Sequence, residues 1–432
     1  MPMCGTAPTV TAEFTQRAAN LGSFFCPAPR RRERKADFMG RAWPVLVLLA
    51  LTQFCASWGS LTIIGVQVEM RAGLGISADA IAALVWSYSF GIAVGALLAQ
   101  VVIGHWPRRM VLLTSMSLLG LGACGLGMAQ NWEQAMVARV IMAIGGASIM
   151  PTTTVIATSI VPESQRPAAL AVVFTGLTVS LILALPIASF VGTALGWRAA
   201  WFVSGGAAFV ATVGLAWGVP RGVRGTRASW QAMRTIIADR ATMLSIITTL
   251  LLIAGGFLTF AMISFWLVEV AGTPRWIVVP ALLASGIAST AGNAISAPFL
   301  RVIGRDNTII FGMVFTAGCF LVLWILPQAY WLALAAFVLV GLGWSLCLAP
   351  LQARLVATSG PRAQLALAIN ASAFFGGQGL GALAGGSVYE TFGPVLMPLF
   401  SLLVLAFATA LFIAAKSIPS TLLDQKHPAN SA

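Results

Sequence analysis

The chain has 432 residues, of which 59% are hydrophobic and only 9% are charged. Soluble domains carry about 25% charged residues, so this composition excludes a soluble globular protein of the same length. The net charge of +13 would suit nucleic-acid binding, but the positions of the basic residues, described below, argue against that class.

Apolar runs recur along the chain at the length that a bilayer-spanning helix requires, roughly 20 residues. Each run is too long for a strand of a membrane barrel, and a helix satisfies its own backbone hydrogen bonds in lipid. The predicted fold is therefore an all-α polytopic membrane protein with twelve transmembrane helices. We place these helices at 44–67, 79–103, 110–129, 135–160, 168–193, 199–219, 243–268, 276–299, 308–327, 330–352, 364–388 and 394–415.

The basic residues fall almost entirely on one side of this arrangement. With the first loop outside, all but four of the 25 lysines and arginines lie on the side that holds both termini. Arg71, Arg198 and Arg275 lie in outer loops, and Arg139 lies within a span. Because positive residues mark the cytoplasmic side, we predict an inner-membrane protein with both termini in the cytoplasm and no nucleic-acid partner.

Polar segments divide the chain into five parts. Residues 1–41 form a basic tail that is predicted to be disordered and cytoplasmic, and Met39 near its end is an alternative start of the chain. Residues 42–219 and 243–416 each form a predicted six-helix bundle, and the cytoplasmic linker 220–242 between them contains five arginines. Residues 417–432 form a second cytoplasmic tail.

The two predicted bundles carry matching landmarks at nearly one offset. The separations within the pairs are 197, 199 and 197 residues. An internally duplicated six-helix unit is typical of secondary transporters, whose substrate site lies near the middle of the membrane between the repeats. The pairs are Arg108 with Arg305, Pro151 with Pro350, and Gly196 with Gly393.

Longer stretches carry a family resemblance. Residues 139–203 and 351–386 each combine a span, a short turn with arginine, and a span rich in glycine and alanine. In these features the chain resembles a major facilitator superfamily transporter, of the arabinose-efflux-like branch of the drug:proton antiporter family, over roughly residues 42–416. The resemblance implies two pseudo-symmetric six-helix bundles, alternating access, and efflux by proton antiport.

The loop GHWPRR after the second span resembles the gating loop of that superfamily, Gly-x-Leu-Ala-Asp-Arg-x-Gly-Arg-Arg. Arg108 and Arg109 match its final basic pair, while Gly104 stands where the family has aspartate. Pro186 matches the family's antiporter motif in the fifth helix. The resemblance implies a gating role for Arg108, Arg109 and Pro186, and the absent acid leaves the family's charge latch incomplete.

Arg139 is the single basic residue inside a span. A charge at that depth is costly unless it is paired, hydrated or able to snorkel. The residue therefore either snorkels to the outer surface or takes part in coupling, with Glu69 and Asp79 as its predicted partners. Asp79 also has a purely structural interpretation, as a carboxylate in the first turn of the second span.

Uncharged polar side chains near the centres of several spans predict a polar cavity with aromatic walls. Each amide can instead serve as a hydrogen bond between helices, usually worth about 1 kcal/mol or less. As a set they favour a neutral or weakly cationic amphiphile, or a sugar, over a strongly acidic solute. The predicted substrate-binding residues are Gln53, Trp58, Tyr88, Asn293, Asn370 and Gln378.

Together these patterns predict a monomeric secondary transporter that exports a small organic solute, with proton antiport as the coupling that the resemblance implies. The alternative is a proton-independent facilitator or an importer of a small neutral solute, because no acidic residue sits at the centre of a span. We expect neither enzymatic activity nor a cofactor. His105 and His427 are the only histidines, so a histidine-based metal site is not expected.

Overall fold

A computed structural model describes residues 30–225, 230–416 and 418. By their contacts the residues fall into two units, 1–44 and 45–432. The described residues of the first unit are helical. The second unit contains the predicted bundle 243–416 and all but the first three residues of the predicted bundle 42–219. Most of the two predicted tails, residues 1–29 and nearly all of 417–432, lie outside the described residues.

The described part of the chain contains fourteen α-helices, with short 3-10 turns at Glu163–Gln165, Gly360–Arg362 and Pro394–Leu396. The helices are α1 (Arg30–Leu74), α2 (Ala78–Val102), α3 (Arg108–Met128), α4 (Trp132–Ser159), α5 (Arg166–Leu195), α6 (Trp197–Gly218), α7 (Trp230–Ala238), α8 (Arg240–Phe260), α9 (Ile263–Glu269), α10 (Arg275–Val302), α11 (Arg305–Ile325), α12 (Tyr330–Ser359), α13 (Ala363–Phe392) and α14 (Met397–Ala415).

All but two of these helices are long, and the two short ones are α7 and α9. Eleven described helices are long and apolar enough to cross a membrane. The twelfth long helix, α13, has 30 residues, but Asn370, Gln378 and many glycines dilute its apolar character. It packs on both α2 and α8, which is consistent with a helix enclosed by protein. The all-α polytopic fold is as predicted.

The N-terminal half (α1–α6) and the C-terminal half (α8–α14) repeat one packing scheme. The pairs α2–α4, α3–α4 and α3–α6 of the first half correspond to α10–α12, α11–α12 and α11–α14 of the second. Gly196 and Gly393, one of the predicted landmark pairs, both have positive φ, at 89° and 82°. Glycine adopts this conformation without the steric cost that other residues meet, so both halves turn into their last helix in the same way.

The halves meet along two helix pairs, α2 with α13 and α5 with α10. Small residues allow both approaches, since a Cβ atom on Gly386 of α13 would lie 2.6 Å from the Cβ of Ala82. A Cβ on Gly286 of α10 would lie 2.8 Å from the Cα of Ile182 in α5. Pro186 lies within α5 four residues further on, and proline cannot donate a hydrogen bond to the Ile182 carbonyl. The irregular turn of α5 therefore lies at the contact between the halves.

Two boundaries differ from the sequence prediction. The helix α1 begins at Arg30, inside the tail that is predicted to be disordered up to residue 41, because the run RRRERK consists of good helix formers. The predicted seventh span, 243–268, is not one helix. It divides into α8 and α9 at Ala261 and Met262, where the apolar sequence contains neither glycine nor proline.

Candidate functional site between the two halves

Arg139 is enclosed on α4 and is held by backbone carbonyl oxygens. Only 1% of its surface is exposed. Its Nε donates to the carbonyl of Leu84 in α2 at 2.9 Å. Its two terminal nitrogens donate to the carbonyls of Gly59 and Ser60 in α1, at 3.4 and 3.1 Å. One guanidinium thus ties α4 to α1 and α2 by charge-assisted hydrogen bonds.

Aromatic rings complete the surroundings of this guanidinium. The Cζ of Arg139 lies 4.3 Å from the ring centroid of Tyr88 and 5.5 Å from that of Trp201. At these distances a cation is attracted to the face of an aromatic ring. Arg139 therefore points into the N-terminal half and does not snorkel to the surface, which was one of its two interpretations.

The predicted acidic partners of Arg139 lie elsewhere. Among the described residues no carboxylate comes within 4.0 Å of its guanidinium, the limit for an ion pair. Glu69 lines a crevice beside Arg275, and Asp79 lies in the first turn of α2. The predicted pairing is wrong, because carbonyl oxygens of neighbouring helices take the place of the carboxylates.

A stripe of residues that are polar except for Ile64 runs along one face of α1. Its outer part contacts the C-terminal half, since the Ser264 hydroxyl donates to the Ile64 carbonyl at 3.1 Å. Residues three, four and seven positions apart share a helix face, so the inner part of the stripe looks toward the same half. At 1.5 Å per residue it extends about 21 Å from Gln67 to Gln53. The stripe consists of Gln53, Ser57, Ser60, Ile64, Gln67 and Arg71.

Four other predicted substrate-binding residues lie on three further helices of the two halves. Asn293 is exposed on α10, seven residues from Gly286 and so on the face that meets α5. Asn370 and Gln378 lie on α13, buried and half-buried. None of the hydrogen bonds among the described residues involves the side-chain amides of Gln53, Asn293, Asn370 or Gln378. The ring of Tyr88 lies against the guanidinium of Arg139, as described above.

Trp58 of α1 is 7% exposed, and its Nε1 has no hydrogen-bond partner among the described atoms. Its ring centroid lies 5.7 Å from that of Phe54, one turn earlier. The indole therefore packs against Phe54 of its own helix, and a substrate-binding role for Trp58 stays a prediction.

A cluster of aromatic rings joins α8 to α12 in the C-terminal half. The ring centroids of Phe257 and Trp344 are 5.3 Å apart, and those of Phe260 and Trp344 are 6.0 Å apart. Phe337 stacks on Phe260 at 6.4 Å. Phe260 and Trp344 are half-buried rather than fully enclosed, so this cluster offers apolar surface where the N-terminal half offers polar groups.

Charged residues of both halves meet at the predicted outer end of the molecule. The Nη1 of Arg71 in α1 lies 3.5 Å from the Glu269 carboxylate of α9 and donates to the Tyr389 hydroxyl of α13 at 3.3 Å. Tyr389 in turn donates to Glu269. Arg71 also lies over the ring of Phe265, at 5.3 Å. We call Arg71, Glu269 and Tyr389 the outer latch, and no local pattern in the sequence indicates it.

A second contact at this end joins a carboxylate to a helix terminus. The Oε1 of Glu390 in α13 accepts hydrogen bonds from the backbone N–H groups of Ala78 and Asp79, at 3.1 and 3.3 Å. These N–H groups belong to the first turn of α2 and have no partner within the helix. A negative charge at a helix N-terminus is favourable, so Glu390 caps a helix of the other half.

Gln67 fills the break between α8 and α9. With its amide oriented to suit both neighbours, its nitrogen donates to the Ala261 carbonyl at 3.0 Å and its oxygen accepts from the Ser264 N–H at 3.1 Å. Gln67 is completely buried. The amide of Gln67 thus lies at the point where the helix of the other half is interrupted. Gln67 is at least 194 residues away in sequence from the two residues that it bonds.

Glu69 lies in a narrow crevice between the halves at the same end. The crevice is formed by α1, α5, α9 and α10, and its charged lining residues are Glu69 and Arg275. Ser189, Thr193 and Ser264 supply hydroxyl groups to the same space. A carboxylate, an arginine and three hydroxyls of both halves therefore share one crevice near the outer latch.

The start of the linker docks on the loop that joins α2 to α3. The backbone N–H of Arg108 donates to the Val223 carbonyl at 2.8 Å, and Pro107 and Arg224 form an antiparallel bridge. Arg109 donates to the carbonyl of Val219 at 3.2 Å. Arg108 is 8% exposed and donates to the Gly104 carbonyl at 2.8 Å. Backbone carbonyl oxygens thus accept hydrogen bonds from both arginines in the loop where the family pattern has an aspartate.

The equivalent loop of the C-terminal half contains an acid at a different position, after its arginine. Asp306 follows Arg305 at the start of α11, and its Oδ2 accepts from Arg354 of α12 at 3.0 Å. Arg354 is 3% exposed and also donates to the Ser245 hydroxyl and the Lys416 carbonyl, at 3.3 and 3.1 Å. The two halves therefore fix their corresponding loops by different chemistry.

Gly225 tests the docking of the linker, because a Cβ atom there would overlap the guanidinium of Arg108. We expect Gly225→Val to lower stability by about 1–3 kcal/mol, as forced overpacking does. The measurement is the thermal midpoint in detergent. Adding Arg108→Ala removes the overlap, so the double variant is expected to lose less than the two single losses combined. Gly206→Val, at an open glycine, is the control, and additive losses would contradict the docking.

The model of the Major Facilitator Superfamily matches residues 49–369. The chain belongs to the Major Facilitator Superfamily. Its members are transporters rather than enzymes, so this chain is a multi-pass membrane transporter. Among relatives of this superfamily, the inner membrane transport protein YdhP of Escherichia coli (strain K12) is 25% identical over 378 residues, 87% of this chain and 97% of the relative.

Other relatives carry more specific names. A probable sugar efflux transporter of Helicobacter pylori (strain HPAG1) is 23% identical over 72% of this chain and 79% of the relative. A chloramphenicol resistance protein of Streptomyces lividans is 28% identical over 57% of this chain and 64% of the relative. These names describe the relatives and not this chain. What the relatives share with this chain is the superfamily.

Solved structures of the superfamily share the fold. A variant of the nucleoside transporter NupG superposes with a TM-score of 0.71 at 16% identity, over 86% of this chain and 98% of that one. A bacterial homologue of the lysosomal transporter Spinster, inward-facing and unoccupied, superposes with a TM-score of 0.68 at 15% identity. The superposition covers 90% of this chain and 99% of that one. The observed arrangement of helices is therefore the superfamily fold.

Proposed function

We propose that this transporter moves a small organic solute across the inner membrane by alternating access, with both termini in the cytoplasm. The observation that carries the proposal is the face of α1 that runs from Gln53 to the outer latch. Its inner residues look toward the opposite half, while its outer residues bind that half directly. A polar surface at the interface of two packed bundles is what alternating access requires. The site lies within one chain, so we take the monomer as the transporting unit.

The chemistry of this surface favours a neutral or weakly cationic solute with both polar and apolar faces. Gln53, Asn293, Asn370 and Gln378 offer amides from both halves, and Phe260 and Trp344 offer partly exposed rings in the C-terminal half. Arg139 is occupied by three carbonyls, so it does not favour an anionic solute. Sugars and drug-like amphiphiles both fit this description.

Export is the proposed direction. It is the direction in the printed name of the Helicobacter relative, a probable sugar efflux transporter. The test is a solute screen in a host that lacks its own efflux pumps, with the wild-type chain compared with Arg139→Ala. We expect lower accumulation of at least one sugar or amphiphile with the wild type alone. Greater accumulation of a solute with the wild type would indicate an importer instead.

Glu69 is the proposed proton-coupling carboxylate. It shares the crevice with Arg275 and three hydroxyls, and helices of both halves form that crevice. A group whose surroundings change as the halves separate can couple its protonation to that movement. Asp79 is less suited to this role, since it lies in the first turn of α2, where Glu390 caps the backbone. Arg139 is proposed to act indirectly, through the position of α1.

Glu69→Gln tests the coupling, because glutamine keeps the size of the side chain but cannot ionise. In proteoliposomes we expect the variant to lose solute accumulation driven by a pH gradient, while exchange of labelled for unlabelled solute continues. Asp79→Asn is the matched control and is expected to retain gradient-driven accumulation. Uphill movement by Glu69→Gln at the wild-type level would exclude Glu69 as the coupling group.

A further inference from the structure

The linker helix α7 is bound to the C-terminal half. Its Met233 and Ile236 are 4% and 0% exposed and pack against α8, α12 and α13. Asp239, directly after α7, caps α8 by accepting a hydrogen bond from the Thr242 N–H at 2.9 Å. Because this capped turn joins the two helices, α7 moves with the C-terminal half. We call the buried apolar residues of this contact the inner cluster, which consists of Met233, Ile236, Ile246, Leu355, Ala366 and Ile369.

The start of the linker is bound to the N-terminal half. The Val223 carbonyl accepts a hydrogen bond from the Arg108 N–H at 2.8 Å, and Gly225 lies against the guanidinium of Arg108. The helix α7 begins at Trp230, five residues after Gly225. Five residues span at most about 18 Å even when fully extended. The linker is therefore a short tether with one docked end on each half.

The inner ends of α2 and α13 meet at the same cluster. Leu97 and Val101, in the last turns of α2, pack against it from the N-terminal half, and α13 contributes Ala366 and Ile369. All four side chains are apolar, and apolar contact is not directional. One helix can therefore tilt on the other at this point without leaving a buried polar group unpaired.

The other contact between the halves, α5 with α10, differs toward its inner end. On α10, Gly286 is buried where it meets α5. Asn293 and Ala297 lie two and three turns further inward on the same face, and both are exposed. The chain crosses between the halves only through the linker, so no second tether holds α5 to α10. The two contacts between the halves are therefore not equivalent at the inner end.

We propose that the inner ends of α2 and α13 form the pivot of the transport cycle and that the docked linker holds this pivot together. The inference rests on the proposed alternating access. The inner mouth then widens between α5 and α10, while α2 stays against α13. A rotation about this one fixed point also separates the outer ends of α2 and α13, where Glu390 has to release the α2 terminus. Both openings are therefore asymmetric.

The first test locks the pivot and asks whether transport continues. The six cysteines of the chain are replaced by alanine, and new cysteines are placed at Val101 of α2 and Leu365 of α13, both half-buried against the inner cluster. A cleavable bifunctional thiol reagent joins them in the purified protein. We expect the linked protein to keep most of its flux in proteoliposomes, because these helix ends do not separate during the cycle.

The matched pair places cysteines at Ala168 of α5 and Ala297 of α10, which are exposed near the inner ends of their helices. Linked by the same reagent, this pair is expected to lose nearly all flux and to regain it when a reductant cleaves the link. Loss of flux in the linked Val101–Leu365 pair that the reductant reverses would overturn the proposal. So would full flux in the linked Ala168–Ala297 pair.

The second test asks whether the linker holds the pivot. Spin labels at Val102 and Ala357, exposed near the inner ends of α2 and α12, report on the two halves. Ile236→Ser removes a buried apolar side chain of α7, and we expect it to raise the ratio of long to short distances about tenfold or more. Ile237→Ser is the matched control, since Ile237 is 54% exposed, and it should leave the distances unchanged.

Unchanged distances in Ile236→Ser would overturn the role of the linker. Equal shifts in Ile236→Ser and Ile237→Ser would overturn it as well, because only Ile236 belongs to the inner cluster. A wild-type chain that moved no solute would refute the proposed function, whereas the label distances would still decide whether the linker holds α2 to α13.

Discussion

Arg139→Ala is expected to abolish transport while the protein still inserts and purifies. The guanidinium makes three hydrogen bonds to carbonyls of α1 and α2, and bonds of a charged group are worth about 1.5–3 kcal/mol each. These carbonyls belong to helices, so the substitution leaves no buried charge without a partner. The loss should therefore appear in the position of α1, and we expect flux to fall by about 100-fold or more.

Two further variants separate this role from a general need for charge. Arg139→Lys keeps the charge, but a single ammonium cannot reproduce the planar fork that reaches three carbonyls, so we expect only partial recovery. Arg198→Ala is the matched control, because Arg198 is exposed and its NH2 donates to one carbonyl, that of Ala129. Flux in proteoliposomes is the measurement. Normal flux in Arg139→Ala would remove this residue from the mechanism.

Arg71→Glu is expected to hold the outer end open and to reduce transport by at least about tenfold. The substitution replaces the cation of the outer latch with a second carboxylate facing Glu269, where Arg71 now lies at 3.5 Å. Like charges at such a distance repel by roughly 1–4 kcal/mol near a protein surface. A shift of that size converts a closed end into one that is mainly open.

The charge-swapped double variant makes this prediction specific. Arg71→Glu combined with Glu269→Arg restores an attractive pair, and we expect it to recover a substantial part of both flux and closure. Arg198→Glu places the same charge reversal at the same end on a residue outside the latch, and should have little effect. Equal flux in Arg71→Glu and the wild type, or no recovery in the double variant, would show that the pair does not govern closure.

The spans and their duplication could be predicted because short stretches of sequence show both of them. Each apolar run is long enough to cross a bilayer, and landmarks such as Gly196 and Gly393 reappear with the same positive φ. The break after Phe260 could not be predicted, because no local residue causes it. It is stabilised by Gln67 of another helix, and hydropathy alone shows one continuous span there.

The site was only partly predictable for the same reason. A buried arginine stood out in the sequence, but its carbonyl partners carry no side-chain signal, so the search for a carboxylate gave Glu69 and Asp79. The outer latch joins Arg71 to residues about 200 and 320 positions away, and each member alone looks like an ordinary residue at a span end. Gly104 marked a missing acid, but nothing local indicated that the linker carbonyls meet Arg108.

Solute counterflow in proteoliposomes tests the central claim most directly, that one site between the halves is exposed to each side in turn. Vesicles are loaded with an unlabelled solute from the host screen, and uptake of the labelled solute is followed over time. The account predicts saturable uptake that rises above equilibrium and then decays, and that is lost in Arg139→Ala. Uptake that is linear in concentration and unaffected by solute inside would contradict alternating access.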